Sequence, residues 1–244
     1  MTAVAVGSVR SGGATTLAVT LAGVLDEAVL VEADPDGGVL ALRYGLSREP
    51  GLVTLAASRQ DPGSVVLEHA QRLPGGLAAV VGPESPERAA QLVRSAGHRI
   101  TALLAGSTPP DIVVDLGRLT PSSPATAVAA SSPLVLLIAR PRAEELVAAA
   151  ERVTFLGQGA RLVLVGDGPY SASDVTTQLG CPVVGLVAED RRTARALAEG
   201  GSSRAIARSA LVRSVRTLAA SLFDHEERAG AEAIGQPVKR GAPV

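Results

Sequence analysis

The chain has 244 residues, of which 46% are hydrophobic and 19% charged, and its formal net charge is −1. That balance supports one sizeable folded core and excludes both a disordered chain and a global field that would draw the protein to nucleic acid or anionic lipid. A single cysteine, Cys181, excludes an internal disulfide and a cysteine-rich metal site, and His69, His98 and His225 lack zinc-ligand spacing.

The first predicted strand covers 3–8 and leads through Val9-Arg10-Ser11-Gly12-Gly13 into a helix predicted over 14–26. Backbone N–H groups at a helix start, aided by the helix dipole, favour phosphate. Gly12 and Gly13 permit a tight turn with close backbone approach, and the Thr15 hydroxyl suits Mg²⁺. A plain βα turn of small residues has the same appearance. Ala14 stands just before the Thr15-Thr16 pair, where a phosphate-binding loop carries the lysine that reaches the β/γ-phosphates. Lys239 is the one lysine among 23 basic residues, so lysine is scarce throughout. Drift toward arginine does not explain Ala14, since arginine would be its product.

A second strand, predicted over 28–33, ends in Glu32-Ala33-Asp34-Pro35-Asp36-Gly37-Gly38. Acidic residues at the carboxyl end of a parallel strand lie on the rim where α/β ligands bind, although a solvated, capped turn needs them too. A helix over 64–72, a strand over 77–82 and a helix over 86–105 follow. The strand at 111–116 is an apolar run ending in Asp115-Leu116-Gly117, the place for an aspartate that contacts Mg²⁺ or simply ends a strand. Further strands are predicted near 134–140, 161–166 and 182–188, with helices near 143–156, 171–179, 190–199 and 204–222. Leu211, Val215, Leu218 and Leu222 form an inward stripe on the last helix, which leaves Arg213 and Arg216 outward. Strands apolar on both faces, alternating with helices, predict an α/β fold: a single doubly wound domain over 1–223 with a mostly parallel sheet of about seven strands. Residues 224–244 are polar and Pro/Gly-punctuated and are expected to form a flexible tail. No apolar run reaches the ~18–20 residues of a membrane span, no basic leader precedes the first strand, and the tail lacks an amphipathic anchor. A cytoplasmic protein is the expectation.

These clusters together resemble the MinD/ParA group of P-loop ATPases, with their deviant Walker A motif K-G-G-x-G-K-[ST]-T. The likeness covers about residues 3–222 and includes Leu134 to Pro141 and the segment Gly185-Leu186-Val187-Ala188-Glu189-Asp190, similar to the family's G-x-[IV]-P-x-D near the adenine. The resemblance implies a P-loop NTPase fold. It makes Thr15 the Mg²⁺ hydroxyl, Thr16 an α-phosphate contact, Asp34 the water-positioning acid and Asp115 the second Mg²⁺ contact. The phosphate-binding stretch would be Arg10, Ser11, Gly12, Gly13, Ala14, Thr15 and Thr16.

The departures concern charge. The family's signature lysine, which reaches across a nucleotide-bridged dimer, falls on Val9; two motif glycines become Arg10 and Ser11; the phosphate lysine falls on Ala14. A charge-assisted hydrogen bond contributes roughly 1.5–3 kcal/mol, so losing one lysine weakens nucleotide affinity about ten- to hundred-fold. Each lost transition-state donor costs a further ~2.7–4 kcal/mol in turnover. Arg10 is the one nearby cation offered as a substitute. The expectation is a pseudo-ATPase that regulates or scaffolds a positioning process (division, chromosome partitioning or pilus assembly), with a protein partner and a possible homodimer. It would bind Mg-ATP or Mg-ADP weakly, or not at all. The alternatives are a slow, Mg²⁺-dependent ATP switch and, less favoured, a DNA-binding adaptor using the arginine-rich C-terminal helices.

Overall fold

β1 (Ala3–Ser8) is apolar on both sides because it lies mid-sheet: Ala5 faces one hydrophobic layer while Val4 and Val6 face the other. The structure, a computed structural model, describes residues 3–10, 13–106 and 109–234, with backbone alone for 223–234. After β1 come α1 (Ala14–Ala22), β2 (Ala28–Glu32), α2 (Leu40–Tyr44), α3 (Leu52–Ala57) and α4 (Pro62–Val65), the last followed by a 3-10 turn at Val66–His69. Then follow β3 (Gln71–Arg72), β4 (Ala78–Val80), α5 (Pro86–Ala105), β5 (Asp111–Arg118), α6 (Pro124–Ala130), β6 (Val135–Ala139) and α7 (Ala143–Leu156). The chain continues with β7 (Ala160–Val165), α8 (Ala172–Leu179), β8 (Val183–Val187), α9 (Arg191–Ala198), α10 (Arg204–Ala207) and α11 (Ala210–Ile234).

The eight strands form one sheet in the order β3-β4-β2-β5-β1-β6-β7-β8. All neighbours pair in parallel except β3 with β4. Alternation along each strand divides the core. Ile112, Val114 and Leu116 of β5 meet residues of α5 and α6, while Val113 meets residues of α1 and α11. β1 is therefore the point where the chain leaves the sheet on one face through α1, while its neighbour β5 leaves on the other through α6. A crevice opens at the carboxyl ends of such diverging strands.

Local chemistry sets the helix boundaries. Ser85 caps α5 ahead of Pro86, Ser171 and Asp174 form a capping box on α8, and Asp190 caps α9. On α11, Leu211, Val215 and Leu218 are buried as their spacing predicts, and Arg213 and Arg216 are exposed.

Several expectations are corrected. The helix predicted over 64–72 is short α4, a 3-10 turn and β3, which adds an eighth strand as an antiparallel edge. The helix predicted over 204–222 is broken at Arg208-Ser209, where the Ser209 hydroxyl caps the start of α11 by accepting from Val212 N–H. α11 stays helical to Ile234, past the boundary drawn at 223, and residues 235–244 lie outside the described residues. No helix among the described residues is long and apolar enough to cross a membrane.

Candidate functional site

The crevice is built from three strand ends in register: Val6 of β1 and Glu32 of β2 both stand beside Asp115 of β5. β1 enters the loop under tight control. Leu119 N–H donates to Ser8 O at 2.9 Å, Val9 N–H to Ile138 O at 3.1 Å, and the buried Ser8 hydroxyl to Arg10 O at 2.5 Å. This clamp turns the Val9 side chain inward, where it is 4% exposed in the same apolar cluster as Ala33, Leu116 and Leu119. Arg10 is exposed. Ser11 and Gly12, expected to shape the phosphate turn, lie outside the described residues. Gly13 takes the left-handed conformation, φ 93°, that starts α1, and its carbonyl accepts from Leu17 N–H at 2.9 Å. Ala14 is 5% exposed in the cluster beneath α1 with Leu17 and Ala18, and Thr15 and Thr16 are partly buried at the mouth.

Asp115 is fully buried. Its Oδ1 accepts from Gly117 N–H at 3.0 Å, whereas Oδ2 has no hydrogen-bond partner among the described residues. Desolvation, reinforced by the charges of Asp34 and Glu32, pushes its carboxyl up to about 7 against the opposing pull of Thr15 and Gly117 N–H. Thr15 is thus close enough to favour the ionised form but does not complete a well-formed hydrogen bond to Oδ2. A buried, half-satisfied carboxylate beside a threonine is a donor set suited to a hard divalent cation. Among the described residues no three His, Cys, Asp or Glu side chains converge as a metal-ligand group. A cation here would need oxygens from phosphate or water to complete its shell.

Asp34 lies over Gly117, whose φ of 61° and lack of a Cβ leave room for the carboxyl group. Its Oδ1 accepts from Asp36 N–H at 2.8 Å. Burial raises its carboxyl above the ordinary value, and Asp36 adds to this, while the Asp36 N–H and Arg118 oppose. Arg118 in turn reaches Asp36 at 3.6 Å across an exposed surface.

Glu32, one of the acids expected on the rim at the end of β2, is instead engaged by backbone. Its Oε1 accepts from Val39 N–H at 2.6 Å and Leu40 N–H at 2.9 Å, and its Oε2 from Gly82 N–H at 2.8 Å. The buried carboxylate therefore ties the end of β2 to the start of α2 and to the segment after β4. Desolvation still raises its carboxyl above the usual range, against those three donors. Gly38 and Gly82 permit this closeness, because a Cβ on Gly38 would stand 2.7 Å from Gly82 O. The sequence signal was an acid ending an apolar run with glycines downstream, but nothing local pairs Glu32 with position 82.

Across β1 from Asp115, the rim beyond β6 and β8 holds an ion-pair network. Arg140 reaches Glu145 at 3.2 Å and Glu189 at 3.5 Å, and Arg191 reaches Glu189 at 3.3 Å. The Gly185–Asp190 segment singled out in the sequence is thereby tied to the start of α7. Of the arginines on the C-terminal helices, Arg195 pairs with Glu199 at 2.8 Å, and Arg213 and Arg216 donate to backbone carbonyls of Arg208 and Ala207. Tyr170 is exposed and Cys181 buried in the core. Among the histidines, His69 Nδ1 is 2.8 Å from the Thr54 hydroxyl.

No protein-family model and no curated protein sequence matches this chain. Solved structures do match its fold. The cell division ATPase MinD of Pyrococcus furiosus superposes with a TM-score of 0.71 at 19% identity, over 92% of this chain and 100% of that one. A ParA family ATPase from Chlorobium tepidum gives 0.71 at 16% identity, over 90% and 98%. The septum site-determining protein MinD of Pyrococcus horikoshii, complexed with Mg-ADP, gives 0.69 at 16% identity, over 92% and 96%. The chain has the MinD/ParA-type P-loop fold, an architecture it shares with cell-division and partitioning ATPases.

Proposed function

We propose that this chain is a pseudo-ATPase of the MinD/ParA type that regulates or scaffolds a cellular positioning process such as division, chromosome partitioning or pilus assembly through a protein partner. One observation carries the reading: both positions where the resemblance calls for lysine are aliphatic and buried, Val9 at 4% and Ala14 at 5% exposure. The start of α1 would offer a phosphate its backbone N–H groups and dipole, but neither position offers a side-chain cation. Phosphoryl transfer depends on positioning and charge neutralisation, so hydrolysis is slow or absent. With Val9 in the core, nothing at that position extends toward a second copy, and a homodimer would form without a nucleotide bridge.

The test uses the full chain: chromatography of small molecules released on denaturation, titration calorimetry with Mg-ATP, and a phosphate-release assay. We expect little co-purified nucleotide, weak or no binding and no turnover above background. Multiple-turnover hydrolysis by the wild-type protein would overturn the proposal.

A second reading, a weak Mg²⁺-dependent ATP switch, is favoured by the unpartnered Asp115 Oδ2 beside Thr15. Mg²⁺ would be held by Asp115, Thr15 and phosphate oxygens, and it supplies neutralisation of phosphate charge. Thr16 would support the α-phosphate, and Asp34 would orient water. ATP would then stabilise the protein only with Mg²⁺ present. A DNA-binding role has less support, since Arg191 and Arg195 are paired with acids; salt-sensitive gel retardation lost on changing Arg213 and Arg216 would restore it.

A further inference from the structure

At the end of the sheet remote from Asp115 lies a cleft of about 650 Å³. Ala28 and Ala78, which open β2 and β4, and Pro110, just ahead of β5, mark its position. It runs between the carboxyl end of α1, the β3–β4 turn and the segment joining α9 to α11. The walls are part apolar, with Leu25, Leu67, Leu77, Leu197 and Ile206 among them, and Leu67 is 53% exposed.

Two arginines stand on this cleft. Arg72 Nη1 donates to Gly76 O at 2.7 Å and Arg216 Nη1 to Ala207 O at 3.2 Å. These bonds hold each guanidinium in place without neutralising it. Neither has a carboxylate within 4.0 Å among the described residues. Asp26 and Glu27 lie where the cleft passes into an adjoining cavity of about 570 Å³, which Arg216 also lines but Arg72 does not. Arg72 is thus the charged lining residue at the β3–β4 end, while Asp26, Glu27 and Arg216 line the other. A cleft of this volume with an apolar stretch and a few polar groups suits a small amphiphilic molecule, and a guanidinium on its wall suits carboxylate or phosphate.

We propose that this cleft binds an amphiphilic anion, an apolar body with a carboxylate or phosphate head that pairs with Arg72. The site is separate from the crevice at Asp115, so it stands whether or not nucleotide binds there. Titration calorimetry of the full chain with decanoate and n-octyl phosphate, both below their micellar concentrations, tests it, with decanol and inorganic phosphate as controls. Expected is saturable one-to-one binding of at least one anion, at least tenfold tighter than either control; the tighter anion identifies the head group. Arg72→Ala should weaken that binding about ten- to hundred-fold, as loss of one charge-assisted bond implies. Ser202→Trp, on an exposed part of the lining, should block it while leaving the melting temperature unchanged. No saturable heat, decanol binding as tightly as decanoate, inorganic phosphate binding as tightly as octyl phosphate, or an Arg72→Ala variant of unchanged affinity would each overturn it.

Discussion

Replacing Asp115 with asparagine should stabilise the protein at neutral and alkaline pH. The folded state holds this carboxyl at about 7 against an ordinary 3.8. Because the value is raised on folding, the native state binds the proton more tightly than the unfolded chain does. Below about pH 4 both states are protonated and burial carries no charge penalty; between about 4 and 7 the penalty grows, and above 7 it is complete. At 1.36 kcal/mol per unit, a shift of about three units sets a ceiling of ~4 kcal/mol. Relaxation and water penetration lower this, and we expect about 2 kcal/mol, or roughly 4–8 °C in Tm for a domain of this size. Asparagine keeps an oxygen for Gly117 N–H and carries no charge to desolvate. Thermal melts of wild type and Asp115→Asn at pH 4.5 and 8 measure the effect, with a small difference at the lower pH. On the Mg²⁺-switch reading, added Mg²⁺ and ATP narrow the gap at pH 8 by stabilising only the wild type; on the pseudo-ATPase reading the gap is unchanged. A variant less stable than wild type at pH 8, or a difference that does not change with pH, would refute the reasoning.

Three more outcomes are expected. Glu32→Gln leaves one oxygen where the carboxylate accepts three backbone N–H bonds and points amide donors at donors, which should cost about 1–3 kcal/mol in urea unfolding. Gly117→Ala places a side chain at φ 61° beneath Asp34, and should lose about 1–2 kcal/mol from backbone strain alone, together with any Mg²⁺-dependent stabilisation. Ala14→Lys places a cation at the start of α1 and should raise Mg-ATP affinity about tenfold by calorimetry without producing phosphate release, since Val9 is unchanged.

What the sequence disclosed about the fold follows from where each signal is local. β1, β5 and β6 are apolar on both faces and bounded by breakers, so their ends were readable to within a residue or two, and so was the place of Asp115 at the β5 rim. α2 and α3 have five and six residues, too few for a helical period to show, and they form because Leu40, Leu52 and Leu55 find places in the core. The supposed helix over 64–72 failed for a related reason: its apolar positions serve a short helix and a 3-10 turn, and a two-residue strand follows only because β4 offers an edge. At the site, the resemblance pointed to Thr15, Asp34 and Asp115, and the structure places Thr15 and Asp34 near enough to Asp115 to act on its carboxyl. The sequence could not show which acids have free oxygens, because the three donors on Glu32 come from residues 39, 40 and 82.

The inward turn of Val9 gives the loop a kind of mechanical ratchet. Once an aliphatic side chain shares the space of Ala33, Leu116 and Leu119, a lysine introduced at that position meets a filled hydrocarbon niche. Its ammonium must either be stripped of water or drag the loop off the clamp formed by Ser8, Leu119 and Ile138. Placing a cation at this position is therefore not a one-step change; the niche has to be emptied and the strand end re-tied first.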